Sequence, residues 1–159
     1  MHRFNCNSVF TQKAFGTRME QKFWTINVIT KGIGLYEITD NIIATVSEVG
    51  FKNALVNLTI PHTSCSLLIQ ENASPDVQKD LISFFNKIAP MNHELYQHDI
   101  EGVDDMPAHL KTSLTQTNLT LSIIDKKLML GKWQGIFLFE HRLADYMREV
   151  TIHIMGDKD

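Results

Sequence analysis

Ile136-Phe137-Leu138-Phe139-Glu140-His141-Arg142 is the stretch on which the fold turns. Along an extended strand successive side chains point to opposite faces, so Ile136 and Leu138 share one side while Phe137 and Phe139 share the other. Both sides are apolar. Such a strand has to be covered on both faces, which calls for a layered domain. A neighbouring subunit is one candidate for one of those covers. The stretch is preceded by Gly131-Lys132-Trp133-Gln134-Gly135, which reads as a close-packed turn. Gln134 there either satisfies backbone groups or lines a cleft.

The segments before it alternate between strand and helix periods. Trp24, Ile26 and Val28 alternate with Thr25 and Asn27, and Lys31-Gly32-Ile33-Gly34 breaks the pattern. Thr39 or Asp40 then caps a helix with Ile42, Ile43, Val46 and Val49 on one stripe, stopped by Gly50. Ala54, Val56, Leu58 and Ile60 share one side of a strand that Pro61 ends. A second strand runs from Cys65 to Gln70. Ser74-Pro75-Asp76 is a helix start of cap, first-turn proline and dipole-matched acid. Val77, Leu81, Phe84, Phe85 and Ile88 follow at helical spacing and read as core. A short helix starts near Asp105 with Pro107 in its first turn. Beyond it Leu119, Leu121 and Ile123 alternate, Asp125-Lys126-Lys127 turns, and Leu128 to Leu130 resumes an apolar run.

The chain has 159 residues, 43% hydrophobic and 21% charged, which suits one domain with an adequate core. We take residues 19–159 as that domain and residues 1–18, which lack any period, as a disordered or non-native extension. A net charge of −3 without a basic run argues against nucleic acid. No apolar run is long enough to span a bilayer, which argues against a membrane role. Two cysteines, Cys6 and Cys65, make no disulfide framework, and residues 1–18 hold no secretory signal, so a cytoplasmic location is expected.

Chemistry concentrates in Tyr96-Gln-His-Asp-Ile-Glu-Gly-Val-Asp-Asp-Met-Pro-Ala-His109. His98 and His109 bracket Asp99, Glu101, Asp104 and Asp105, and Gly102 gives the backbone freedom to fold the acids back toward both imidazoles. Unpaired buried carboxylates are very costly, so this loop is solvated, partly protonated or bound to a cation. Imidazole with carboxylate suits zinc, manganese or iron. Any one of these residues is ordinary surface; the group as a whole points to a metal or a phosphate-bearing substrate. His62 sits at the turn between two strands, where it either faces a cleft or bonds nearby backbone. Arg142 either meets a phosphate or forms a plain salt bridge.

The sequence resembles the YjbQ family, whose members are described as secondary thiamine-phosphate synthase enzymes. The resemblance runs from about Phe23 to Gly156. It is carried by Pro61-His62-Thr63-Ser64, by Glu71-Asn72 with Asp76, by His98-Asp99 through Asp105-Met106-Pro107-Ala108-His109, and by Gly131, Trp133-Gln134-Gly135 and Glu140. Cys65 stands where a small alanine or threonine is expected, which counts against a cysteine nucleophile. The resemblance implies a compact α+β fold, a mostly antiparallel β-sandwich with two or three helices, assembled as a homotrimer. It implies that His62, His98 and His109 converge on a divalent metal, zinc first, with magnesium or manganese as alternatives. Asp99, Glu71 and Asp105 would be the catalytic carboxylates, and Asn72, Thr63, Gln134 and Arg142 would contact a phosphorylated small molecule. The activity implied is a transferase joining a thiazole phosphate to a pyrimidine pyrophosphate, perceived against two alternatives: metal-dependent hydrolysis of a small phosphorylated metabolite, and a metal- or anion-binding trimer without turnover.

Overall fold

A computed structural model describes residues 19–158; the expected extension at residues 1–18 lies outside the described residues. Two antiparallel sheets face each other across an apolar core. The larger sheet holds β1 (Glu20–Lys31), β8 (Asp145–Asp157), β3 (Asn53–Thr59), β5 (Asn118–Ile124) and β6 (Lys127–Leu128), in that spatial order. The smaller one orders β2 (Gly34–Glu37), β7 (Gln134–Glu140) and β4 (Cys65–Glu71). Among the described residues the remaining elements are three α-helices, α1 (Thr39–Val49), α2 (Pro75–Ile88) and α3 (Asp105–Leu114), and a short 3-10 helix at His93–Leu95. The α+β sandwich expected from the sequence is therefore present.

Strand β7 shows why the fold is layered. Ile136 and Leu138 enter the core between the sheets, where they meet Val56, Leu58, Val150 and Ile152. Phe137 and Phe139 are buried on the opposite side, and the Phe139 ring packs edge-on against Phe85 of α2 at 5.4 Å. Both covers of this strand thus come from within the chain, with no neighbouring subunit needed there.

Two local expectations are corrected. Helix α1 starts at Thr39 without a side-chain cap, because the Thr39 hydroxyl donates to Glu37 Oε1 and accepts from Ile136 N–H instead. That bond ties the helix start to β7. Helix α2 is capped by Ser74 as expected, but none of its residues is buried, and Phe84 and Ile88 are 55% and 45% exposed. Its stripe is wider than the strip of sheet it covers, so only the Phe85 side reaches the interior.

The longest strand, β8, has no counterpart in the sequence reading, although Val150, Ile152 and Ile154 alternate as a half-buried strand should. It pairs with β1 over the whole length of β1, from Glu20↔Gly156 to Lys31↔Asp145, and with β3 on its other side. Buried Arg148 projects from it toward β7 and donates twice to the fully buried Glu140 carboxylate at 2.7 Å. Thr30 of β1 donates to the same carboxylate at 2.9 Å. A buried charge is tolerated only when paired and hydrogen-bonded, and Glu140 is both. This network pins the two sheets together at the end where the site lies. Among the described residues, no helix is long and apolar enough to cross a membrane.

Candidate metal centre

Helix α3 builds one wall of the site. His109 lies one turn after Asp105, so both side chains share a face. The His109 Nε2 is 3.1 Å from Asp105 Oδ2, and His98 Nε2, from the preceding loop, is 2.9 Å from the same oxygen. One ligand atom from each of His98, Asp105 and His109 lies within 4.8 Å of the others. The carboxylate is 2% exposed while the His98 and His109 side chains are 45% and 32% exposed, so the group opens to solvent over a buried floor.

Each member is oriented from behind. His109 Nδ1 lies 2.9 Å from the Thr63 carbonyl, which fixes Nδ1 as the protonated nitrogen and turns Nε2 toward Asp105. Arg142 Nη1 pairs with Asp105 Oδ1, leaving Oδ2 for the imidazoles. The same guanidinium donates through Nε to Asp104 Oδ2 at 3.0 Å and through Nη2 to the Glu101 carbonyl at 2.9 Å. Asp104 Oδ2 also accepts from Leu143 N–H at 2.8 Å. Burial alone would raise the Asp104 carboxyl, but the Leu143 and Arg142 bonds hold it below its usual value. Arg142 therefore uses Nε, Nη1 and Nη2 to staple the acidic loop down. Its salt bridge is to Asp104 and Asp105, while Glu140 takes Arg148 as partner.

The donor set fits a divalent ion. Two imidazole nitrogens and one carboxylate oxygen with an open side is a common catalytic zinc arrangement, and ligands about 2.0–2.2 Å from a tetrahedral centre stand about 3.3 Å apart. The separations to Asp105 Oδ2 are already close to that. His62 is not in this cluster: its Nε2 accepts from Glu149 N–H at 3.3 Å, just past the end of the β3–β8 ladder. Burial, aided by repulsion from Arg148, lowers its pKa. It shares a surface depression with Thr63 and His109. Asp99 is exposed beside His98.

Glu71, Asn72 and Gln134 are elsewhere. Cys65 pairs with Glu140 and Glu71 with Gln134, so these residues stand six steps along β4 and β7 from the histidine end, about 20 Å at strand rise. Gln134 Oε1 accepts from Gly131 N–H at 2.7 Å, which is the backbone-satisfying alternative of its two expected roles. Asn72 donates to Glu37 Oε1 at 3.2 Å. Cys65 is fully buried and its thiol is pushed up to about 12, chiefly by desolvation, so it is no nucleophile. Arg148 was not named by the sequence reading, and Asp104 only as one acid of the loop. The acid-rich loop signalled Asp104, but nothing local marks an arginine inside a strand as structural.

A two-sheet α+β protein with an open two-histidine, one-carboxylate site is the class that fold and geometry define. Residues 24–157 match the family model described as UPF0047 protein YjbQ-like. The chain belongs to that family. It is 44% identical over 130 residues to a UPF0047 protein of Synechocystis, covering 82% of this chain and 88% of the relative. It is 37% identical over 134 residues to UPF0047 protein YjbQ of Escherichia coli O157:H7, covering 84% and 96%. Among solved structures, a conserved hypothetical protein from Thermus thermophilus superposes with TM-score 0.72 at 35% identity, covering 81% of this chain and 97% of that one. A YjbQ/UPF0047 protein from Clostridium acetobutylicum gives TM-score 0.73 at 30% identity, covering 82% and 97%.

Proposed function

We propose that the chain is a metal-dependent enzyme in which His98, Asp105 and His109 hold one divalent ion, zinc first, and that it hydrolyses a small phosphorylated metabolite. The observation that carries this reading is the sharing of one buried carboxylate oxygen, Asp105 Oδ2, between two solvent-facing imidazoles. When bound, the ion would supply polarisation of a phosphoryl oxygen and activation of water at neutral pH. Thr63 sets the His109 tautomer and Arg142 sets the Asp105 rotamer, while exposed Asp99, next to His98 in sequence, is assigned the role of proton acceptor. Arg142 acts here through Asp105 rather than on substrate.

Condensation of a thiazole phosphate with a pyrimidine pyrophosphate, which the resemblance implies, ranks behind hydrolysis. A departing pyrophosphate needs several positive partners. The guanidinium nearest the triad is committed to Asp104, Asp105 and Glu101. A homotrimer belongs to the same proposal. The face of the larger sheet turned away from the core exposes Phe23, Ile29, Leu55 and Met147 at 62%, 70%, 48% and 68%, apolar side chains interspersed with polar ones that a second copy would cover.

The test is elemental analysis and molar mass of wild type, His98→Ala and His109→Ala, followed by assay of the zinc-loaded proteins. Two panels are used: simple phosphoesters, and both thiamine precursors together. One zinc per wild-type chain, its loss in both variants, and phosphoester turnover confirm the reading. Product only when both precursors are present would replace hydrolysis with the transferase. Zinc retained by His98→Ala would overturn the site.

A further inference from the structure

At the Gln134 end of β7, away from the triad, a groove of about 470 Å³ runs along α1 beside β6. Small-molecule pockets span about 300–1,000 Å³ and join an apolar lining to a few placed polar groups. Thr39 and Ser47 mark the groove on the helix, eight positions apart, which makes it about 12 Å long at helical rise. Its floor is Ile43, Val46, Leu128 and Leu130. Ile42 takes the core side of α1 with no exposure, and Ile43 is left over the groove, 44% exposed.

The polar groups of the lining differ in what they have left to give. The Thr39 hydroxyl is spent twice, donating to Glu37 Oε1 and accepting from Ile136 N–H. The Ser47 proton goes to the Ile43 carbonyl, and Gln134 Oε1 accepts from Gly131 N–H. Lys126 and Lys127 are exposed and enter no ion pair among the described residues, where the lysines that do are Lys79 and Lys158. No carboxylate joins them in the lining: Asp125 faces the neighbouring depression, and Glu37 is held by Thr39 and Asn72 at the other end. Lys126 N–H donates to the Lys52 carbonyl just past α1, so the cations sit at the Ser47 end. An ammonium donates and cannot accept.

The turn that carries Lys126 adds a second observation. Asp125 and Lys126, between the paired Ile124 and Lys127, both hold left-handed backbone at φ 48° and 64°. Two-residue hairpins of this kind favour glycine at the second position. A lysine kept there under strain calls for a side chain with a task.

We propose that this groove binds a small anionic amphiphile, its carboxylate or phosphate head at Lys126 and Lys127 and its hydrocarbon body over Ile43, Val46, Leu128 and Leu130. It is a second ligand site, independent of the metal reading. Apolar area laid on the floor supplies most of the affinity, and the two water-exposed cations supply the choice of head group.

The test titrates the full chain with octanoate, octyl phosphate, octanol and octyltrimethylammonium, each below its micelle concentration, with affinity read by calorimetry and location by amide NMR. At low salt octanoate or octyl phosphate should bind about fivefold tighter than octanol and shift the Ile43, Val46, Leu128 and Leu130 amides. Either anion confirms the site, and the tighter one identifies the head group. Lys126→Gly combined with Lys127→Gln should erase the preference while Tm stays equal or rises, since glycine relieves the turn. Ile43→Glu, at an exposed position, should weaken both anions about tenfold. Octanol binding as tightly as the anions would mean that the lysines only complement the end of α1, and overturns the proposal. So would equal binding of octyltrimethylammonium, shifts confined to another surface, or no binding at all.

Discussion

The two ends of strands β4 and β7 make an instructive pair. At one end Glu71 faces Gln134, with Asn72 and Glu37 alongside; at the other Cys65 faces Glu140, next to Ser64, His141 and Arg142. Both ends are rich in polar residues. At the Gln134 end the bonds are neutral or singly charged and exposed: Gln134 accepts from Gly131 N–H of its own turn, and Asn72 donates to the Glu37 carboxylate. At the Glu140 end fully charged partners are paired and buried, Arg148 with Glu140 and Arg142 with Asp105. An exposed, locally or singly bonded polar group holds nothing in place, whereas a network of paired charges built over a buried floor leaves the His98 and His109 nitrogens aimed at solvent and available to a ligand.

The widest expected separation between the ends comes from Asp105→Ala. It removes the carboxylate shared by Arg142 and both imidazoles; Arg142 keeps Asp104 and the imidazoles reach solvent, so stability should fall by about 2–3 kcal/mol, as for the loss of hydrogen bonds to a charged group. Urea unfolding beside zinc content checks it. A variant that stays as stable as wild type and keeps its zinc would erase the distinction between the ends.

A second test uses pH. His141 is fully buried, bonded through Nε2 to Ser66 Oγ at 3.0 Å, with Nδ1 unpartnered among the described residues. Its pKa is pushed down to about 3 by burial, with repulsion from Lys111 and Arg148 adding to it. The folded value lies below the unfolded 6.5, so the unfolded chain takes up the proton first. The contribution is fully present above about pH 6.5 and is lost as pH falls toward 3, with a slope of up to about 1.4 kcal/mol per pH unit. His141→Phe should flatten that part of the stability profile, measured by denaturant melts from pH 7 to 4. An unchanged slope would place the acid sensitivity outside this end.

The smallest effects belong to the Gln134 end. Glu71→Ala and Gln134→Ala should each change stability by about 1 kcal/mol or less and leave zinc content untouched. Loss of zinc in either variant would sharpen the comparison differently: the far end of one subunit would then reach the triad of the next.

Much of this was legible in the sequence for a definite physical reason. The two-sided apolar pattern of residues 136–139 required layers, Ser74-Pro75-Asp76 required a helix start, and Gly50 in the left-handed region at φ 67° ended α1 as its position suggests. His98, Asp105 and His109 were legible as neighbours because they lie within one short stretch, but the expected ligand set was His62, His98 and His109 with Asp105 as a catalytic carboxylate. Placement of Glu71, Asn72 and Gln134 was not legible, since it depends on strand register rather than on residue type. The exposure of Phe84 was hidden for a related reason: helical spacing shows that a stripe exists, not how wide a surface it meets. The partner of Arg142 could be read only once the acidic loop was folded beneath it.

That last contact sets the order in which the molecule matures. Arg142 follows Asp105 by 37 residues, and the Thr63 carbonyl that turns His109 precedes it by 46. During synthesis the triad's three residues leave the ribosome well before the guanidinium that aligns their carboxylate. A growing chain therefore offers two loose imidazoles and an unaligned acid, and on the proposed reading selective uptake of an ion would wait until β7 is in place. Under that reading metal loading would be the last event of biogenesis, a seal on a finished fold rather than its seed.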